Sequence, residues 1–105
     1  MGQIYSLPPV TKAQADSGWT LDVNPLASLH QVAIQPAAAV TGTIAISVRY
    51  IGKTDYEALL DAYNTPVVID CAAPKAVKFL GGIEKIKFTT TSVSGNYSAN
   101  AVGWE

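Results

Sequence analysis

The residue types that most often catalyse reactions are scarce in this chain, which has one histidine, His30, and one cysteine, Cys71. A cysteine nucleophile needs a base in contact with it and a third group that orients the base, so these two residues would have to meet. A zinc site needs three or four ligands, and one histidine with one cysteine does not supply them. We therefore expect His30 to be a surface or rim residue at the start of a strand. Cys71, which follows the apolar segment PVVID, is expected to be a small buried side chain.

Carboxylates offer a second candidate chemistry, since paired carboxylates hydrolyse glycosidic bonds in many enzymes. Asp55, Glu57 and Asp61 lie close together in the segment GKTDYEALLDAYNTP. Thr54 and Glu57 have the spacing of a helix capping box, and negative charge in a first helical turn is favoured by the helix dipole. A short helix at 55–62 therefore explains the acidic cluster. The alternative is a strand that contains Tyr56, Ala58 and Leu60.

Asp70 lies between two residues that are expected to be buried, Ile69 and Cys71. We expect its carboxylate to accept hydrogen bonds from the turn at 72–74. The chain contains no G-x-x-x-x-G-K, G-x-S-x-G or G-x-G-x-x-G motif, which would indicate phosphate binding or an activated serine. The residues therefore predict no catalytic site, no metal site and no cofactor.

Charge is low throughout the 105 residues: 14% are charged, 49% are hydrophobic, and the formal net charge is −1. An ordinary soluble protein has roughly 25% charged residues. Surface charge opposes association, so this composition favours a single domain that covers part of its surface with partners. No apolar run reaches the 18 residues of a membrane span. Four lysines near the predicted strands are expected on solvated faces rather than in a nucleic-acid site: Lys75, Lys78, Lys85 and Lys87.

Most of the chain alternates apolar and polar residues with a period of two, which is typical of half-buried strands. TIAISVRY, at 43–50, is the clearest example. Gly81-Gly82 has the form of a two-residue hairpin turn between two such strands. The pattern predicts an all-β fold, a single β-sandwich of about seven short, mainly antiparallel strands with one short helix. The expected core is Ile44, Ile46, Val48, Val67, Ile69, Val77, Phe79, Ile86 and Phe88.

The chain divides into an extended N-terminal arm at 1–17 and a β-sandwich domain at 18–105. Pro8-Pro9 excludes a helix interior or a central strand in the arm. The apolar residues of the arm would form an edge strand of the domain's own sheet or dock on a neighbouring subunit. Trp104, in the last strand, would close one end of the core with Trp19 or reach a neighbour. The interface candidates are Ile4, Tyr5, Leu7 and Trp104.

The order of these segments resembles the small β-sandwich virion proteins of tailed bacteriophages. The likeness covers about the last sixty residues: the strand TIAISVRY, the segment YEALLDA, the PVVID…AP pair, GGIEKIKF, and the final strand GNYSANAVGW. It implies a non-enzymatic structural protein that binds the phage particle in many copies as a capsid decoration (cement) protein, or else a neck, tail or fibre component.

The same resemblance implies other virion proteins as partners, either the major capsid protein or neck and tail proteins, and a homo-oligomer. It implies no nucleic-acid or membrane partner, and a location in the virion after synthesis in the host cytoplasm. The alternative from another class is a carbohydrate- or ligand-binding β-sandwich module. Such a module would use exposed tyrosine and tryptophan side chains, since aromatic rings line carbohydrate sites.

Overall fold

The computed structural model describes residues 2–7, 9–18, 20–24 and 26–105, which form ten strands and one helix. The all-β sandwich expected from the sequence is confirmed. Pro8 and Trp19, the expected partner of Trp104, lie outside the described residues. The elements are β1 (Gln3–Ser6), β2 (Val10–Thr11), α1 (Lys12–Asp16), β3 (Thr20–Asp22), β4 (Leu29–Pro36), β5 (Thr43–Tyr50), β6 (Glu57–Ala58), β7 (Val68–Asp70), β8 (Val77–Leu80), β9 (Ile83–Thr91) and β10 (Tyr97–Trp104).

The strands form two antiparallel sheets. Sheet 1 has the order β1-β10-β4-β8, and β2 also pairs with β10. Sheet 2 has the order β3-β9-β5-β6, and β7 also pairs with β5. The three strands beyond the expected seven, β1, β2 and β6, are each two to four residues long. Such short pairings leave no alternating pattern in a sequence.

The core lies between the inner faces of the two sheets. In β5, Ile44, Ile46 and Val48 are buried and alternate with half-buried Thr43, Ala45 and Ser47. This burial follows the period of a strand, in which successive side chains point to opposite faces. Of the expected core residues, Val67, Val77 and Phe79 are partly buried and pack against the core, and the others are buried.

The turn at Gly81-Gly82 does not close a hairpin, so that prediction is wrong. β8 pairs with β4 in sheet 1, whereas β9 pairs with β3 and β5 in sheet 2. The two glycines therefore carry the chain from one sheet to the other. Gly81 has φ 125°, a conformation that side chains disfavour. Gly82 does not share this positive φ, so the turn requires glycine at one of the two positions only. The pairing partners of β8 and β9 are non-local and cannot be predicted from the turn.

The predicted helix at 55–62 is also wrong, and its strand alternative holds for β6. Asp61 stabilises a turn instead: its Oδ1 accepts from the N–H groups of Tyr63 at 2.8 Å and Thr65 at 3.1 Å. Local bonds of this kind compete with helical hydrogen bonding. Leu59 is buried between exposed Ala58 and Leu60, as in a strand with one inner face.

The N-terminal segment is part of sheet 1 rather than an arm that projects from it. Gln3 pairs with Trp104 and Val10 pairs with Ala99, so the segment runs along one edge of β10. The edge-strand alternative is therefore confirmed. The segment is not wholly extended, because α1 begins after the N-cap Thr11 in a capping box closed by Gln14. Thr11 and Gln14 have the T-x-x-Q spacing of a capping box, which predicts a helix start. The prediction of an extended segment at these residues was therefore wrong.

Candidate functional site

His30 lies in the interior of the protein, which contradicts its expected surface or rim position. Its exposed fraction is 0%. The reason is the alternation of β4, in which His30, Val32 and Ile34 share the inner face of sheet 1. His30 lies two residues before Val32 and four before Ile34. In a strand this spacing puts all three side chains on one face, so the sequence did contain a signal for the burial of His30.

Both nitrogens of the His30 ring are hydrogen-bonded. Nε2 lies 3.1 Å from the carbonyl oxygen of Gly81, and Nδ1 lies 2.6 Å from the hydroxyl of Tyr5. A carbonyl oxygen accepts but never donates, so Nε2 carries the proton of the neutral ring. Nδ1 is then the acceptor, and the Tyr5 hydroxyl donates to it. The ring thus joins β1, β4 and the connection between β8 and β9.

Aromatic rings and a glycine enclose this cluster. The His30 ring stacks on Phe79 with centroids 5.5 Å apart, and the Tyr5 ring lies at 5.8 Å on a tilt of 45°. Gly103 faces the Tyr5 ring, and a Cβ at that position would overlap it. Burial raises the pKa of Tyr5 to about 12, so the hydroxyl stays protonated and available to donate.

Cys71 and Asp70 occupy the positions that the sequence predicted. Cys71 is buried, and burial followed by the nearby Asp70 carboxylate raises the pKa of its thiol. A thiol held in its protonated form is a poor nucleophile. His30 is bonded to Tyr5 and Gly81 instead of to Cys71, so a Cys-His pair is not formed. Asp70 is exposed, and its Oδ1 accepts from the Ala72 N–H at 2.9 Å, as predicted for this turn.

Within residues 2–7, 9–18, 20–24 and 26–105, no three His, Cys, Asp or Glu side chains are grouped so as to hold a metal ion. Across the same ranges, no helix has the length and apolar character needed to cross a membrane.

The outer face of sheet 1 carries a row of large apolar side chains. Leu80 of β8 pairs with Leu29 of β4, and Leu29 pairs with Trp104 of β10. The residues that precede or follow them face inward: His30 and Phe79 lie toward the core, and Gly103 lies against the Tyr5 ring. The side chains of Leu80, Leu29 and Trp104 therefore point outward and lie beside one another. We call Leu80, Leu29 and Trp104 the apolar row. Leu80 is 74% exposed, and the other two are half-buried.

Leu80 also borders a groove at the open edge of the sandwich, where β8 faces sheet 2. The groove has a volume of about 480 Å³. Leu59, Leu60 and Val67 line it from one side, and Val77, Phe79 and Leu80 line it from the other. Asp61 and Lys78 also line the groove, and Leu80 is the residue that the groove shares with the apolar row.

The four interface candidates are divided between the interior and the surface. Tyr5 and Leu7 pack against the core of their own chain, and Ile4 is half-buried in β1. Trp104 lies in the apolar row on the outer face, so it does not close the core. Leu80 and Leu29 were not predicted from the sequence as neighbours of Trp104, because the pairing that aligns them is non-local.

The four lysines do not form one basic patch. Lys78 lies on β8 in sheet 1, while Lys85 and Lys87 lie on β9 in sheet 2. Lys85 pairs with Asp22 at 2.7 Å, and the Lys87 ammonium lies 5.6 Å from the centre of the Tyr56 ring. The lysines of β9 are thus on a solvated face, as expected.

Comparison with known proteins returned no match to a family model, to a curated protein or to a solved structure.

Proposed function

We propose that this protein is a non-enzymatic structural protein of a tailed-bacteriophage virion that binds the capsid as a decoration protein. The observation that carries the proposal is the apolar row of Leu80, Leu29 and Trp104 on the outer face of sheet 1. Contiguous apolar side chains on an outer face are typical of surfaces that another protein covers. A position in the neck, tail or fibre would use the same surface and is the alternative.

Two further properties support an assembly role. Charged residues make up 14% of the chain, so electrostatic repulsion between copies or partners is weak. Exposed apolar side chains also extend beyond the row, since Leu26 is 80% exposed and Tyr63 is 88% exposed. The partner that suits such a surface is the protein shell of the particle, with further copies of this chain beside it.

The proposal is tested by binding the purified protein to capsids of its phage from which the protein has been removed. Leu80→Ser removes the most exposed member of the apolar row. Burying a leucine contributes about 1.5–3 kcal/mol, so the variant should bind at least about tenfold more weakly in a sedimentation assay. Light scattering after size exclusion reports the oligomeric state of each variant.

Val68→Ser is the matched control. Val68 is 46% exposed and pairs with Ala45 in sheet 2, so it is an exposed apolar residue outside the apolar row. It should bind capsids like the parent. Equal loss in both variants would contradict the assignment of the surface. If the parent protein is monomeric, does not bind capsids and binds glycans, the virion role is contradicted and the carbohydrate-binding module is favoured.

A further inference from the structure

The hydrogen bonds of His30 link the N-terminal strand to the opposite end of sheet 1. Tyr5 approaches from β1 at 2.6 Å, and the Gly81 carbonyl approaches from the β8–β9 connection at 3.1 Å. β1 is an edge strand that pairs with β10 alone. Tyr5 is therefore the contact through which β1 is joined to the interior polar cluster.

We propose that His30 is an acid-sensitive latch: the neutral ring holds β1 on the sandwich, and its protonation releases β1 from β10 while the other strands stay paired.

The site accommodates the neutral ring and not the charged one. A proton added to Nδ1 turns the acceptor of the Tyr5 hydrogen bond into a donor. The Tyr5 hydroxyl would then have to accept, and its own hydrogen would need another acceptor. Within the described part of the chain, His30 is the sole hydrogen-bond partner of that hydroxyl. The charged ring would also be stacked on apolar Phe79 at zero exposure, which disfavours the charge.

The groups around the ring do not compensate a positive charge. The titratable or charged groups on the adjoining elements are Tyr5 on β1, Lys78 on β8, three residues of β9 (Glu84, Lys85 and Lys87), Tyr97 on β10, Glu105 after β10 and Tyr50 beside Gly81. Lys85 pairs with Asp22, and the Lys87 ammonium lies over the Tyr56 ring. Lys78 lies on the outer face, next to inward Phe79. Glu84 is paired with Arg49 at 2.9 Å, and the Glu105 Oε1 accepts from the Gly2 N–H at 3.2 Å.

The sign of the pH effect follows from this environment. Burial lowers the pKa of His30 below its usual 6.5, and the weaker effect of the Gly81 carbonyl opposes it. In a released state the ring meets water and regains its usual pKa. The latch therefore stabilises the attachment of β1 fully above pH 6.5. This stabilisation is lost as the pH falls through the lowered pKa of His30 in the closed state.

β1 is the element that should separate first. It is four residues long and has an unpaired outer edge, whereas β4 is held between β10 and β8. Two backbone bonds mark the ends of its attachment. The Leu7 N–H donates to the Ala101 carbonyl at 3.0 Å, and the Glu105 N–H donates to the Gly2 carbonyl at 3.0 Å. Edge strands of this size open at low free-energy cost compared with central strands.

The experiment measures hydrogen exchange of single amides by NMR between pH 8 and pH 5, corrected for intrinsic exchange rates. The Leu7 and Glu105 amides report on β1, and the amides of β5 and β9 report on the whole fold. Below pH 6.5, the protection of the two reporters should fall by up to about tenfold per pH unit, because one proton is taken up on release. The amides of β5 and β9 should fall much less. The single histidine of the chain gives one unambiguous ring signal in the same samples.

Two variants separate the latch from other acid effects. His30→Gln keeps a polar side chain that does not titrate, so the β1 reporters should lose their pH dependence even if they are less protected at every pH. Asp16→Asn is the control, because the Lys12 and Thr90 hydrogen bonds lower the pKa of Asp16 from 3.8, below the range tested. Its β1 reporters should respond to pH like those of the parent.

Three results would overturn the latch. The first is parallel loss of protection in β1, β5 and β9. The second is a His30 ring that titrates near pH 6.5 in the parent while the Leu7 amide is unaffected. The third is an unchanged pH response in His30→Gln. If His30→Gln does not fold, the first two measurements on the parent protein still decide the question.

Discussion

Removing the Tyr5 hydroxyl is the most direct test of the polar cluster around His30. Tyr5→Phe keeps the ring that packs against Gly103 and deletes one atom, the oxygen that donates to Nδ1 at 2.6 Å. The packing volume is almost unchanged, so the measured effect reports the hydrogen bond. The His30 Nδ1 would then be buried without a partner among the described residues.

The expected magnitude follows from the asymmetry of buried hydrogen bonds. Leaving a buried acceptor unsatisfied costs about 1–3 kcal/mol, because the group has lost its water and gained nothing. We therefore expect Tyr5→Phe to lower the free energy of unfolding by about 1–3 kcal/mol at pH 8, where His30 is neutral. Urea unfolding at equilibrium measures this difference, and an unchanged slope with denaturant shows that the surface exposed on unfolding is the same.

Tyr97→Phe is the matched comparison because the same atom is removed from a different environment. Within the described residues, the buried Tyr97 hydroxyl has no hydrogen-bond partner. Deleting a buried polar group that is already unsatisfied should leave stability unchanged or raise it. Tyr63→Phe, at a site that is 88% exposed, should stay within about 0.5 kcal/mol of the parent.

The free energies of unfolding of the three variants, ranked against the parent, decide whether the Tyr5–His30 hydrogen bond stabilises the fold. Tyr5→Phe should be the least stable, and Tyr97→Phe should match or exceed the parent. If the free energy of unfolding of Tyr5→Phe lies within about 0.5 kcal/mol of the parent value, the Tyr5–His30 hydrogen bond does not stabilise the fold. An equal loss in Tyr97→Phe would mean that the phenol oxygen matters for a reason other than this bond.

Three other substitutions have expected effects on the free energy of unfolding, all measured by the same denaturation. Ile46→Ala, at a site that is 1% exposed between the sheets, should cost about 2–5 kcal/mol, and a smaller loss would contradict the assigned inner face of β5. Gly103→Ala should cost about 1–3 kcal/mol by overlap with the Tyr5 ring, and the loss should shrink when Tyr5→Ala is combined with it. Cys71→Ser should cost about 1–3 kcal/mol by placing a hydroxyl in a buried site, and a neutral result would mean that the site supplies a hydrogen-bond partner.

Local patterns in the sequence determined the strands with a long inner face. The alternation in TIAISVRY placed Ile44, Ile46 and Val48 in the core, because a side-chain period of two is a local property of extended backbone. The Asp70 turn and the burial of Cys71 were also predictable from neighbouring residues. For each of these, the residues that decide the conformation lie within a few positions of one another.

Tertiary pairing decided the features that these local patterns left open or misplaced. Gly81-Gly82 marks a turn in either arrangement, but only the partners of β8 and β9 determine that it joins two sheets. The alternation of β4 turns His30 inward, but its hydrogen-bond partners Tyr5 and Gly81 and the stacked Phe79 ring come from distant parts of the chain. The apolar row likewise exists only through the register that aligns Leu80, Leu29 and Trp104. Strand register depends on contacts between segments far apart in sequence, so neither the polar cluster nor the outer apolar surface is visible in any one segment.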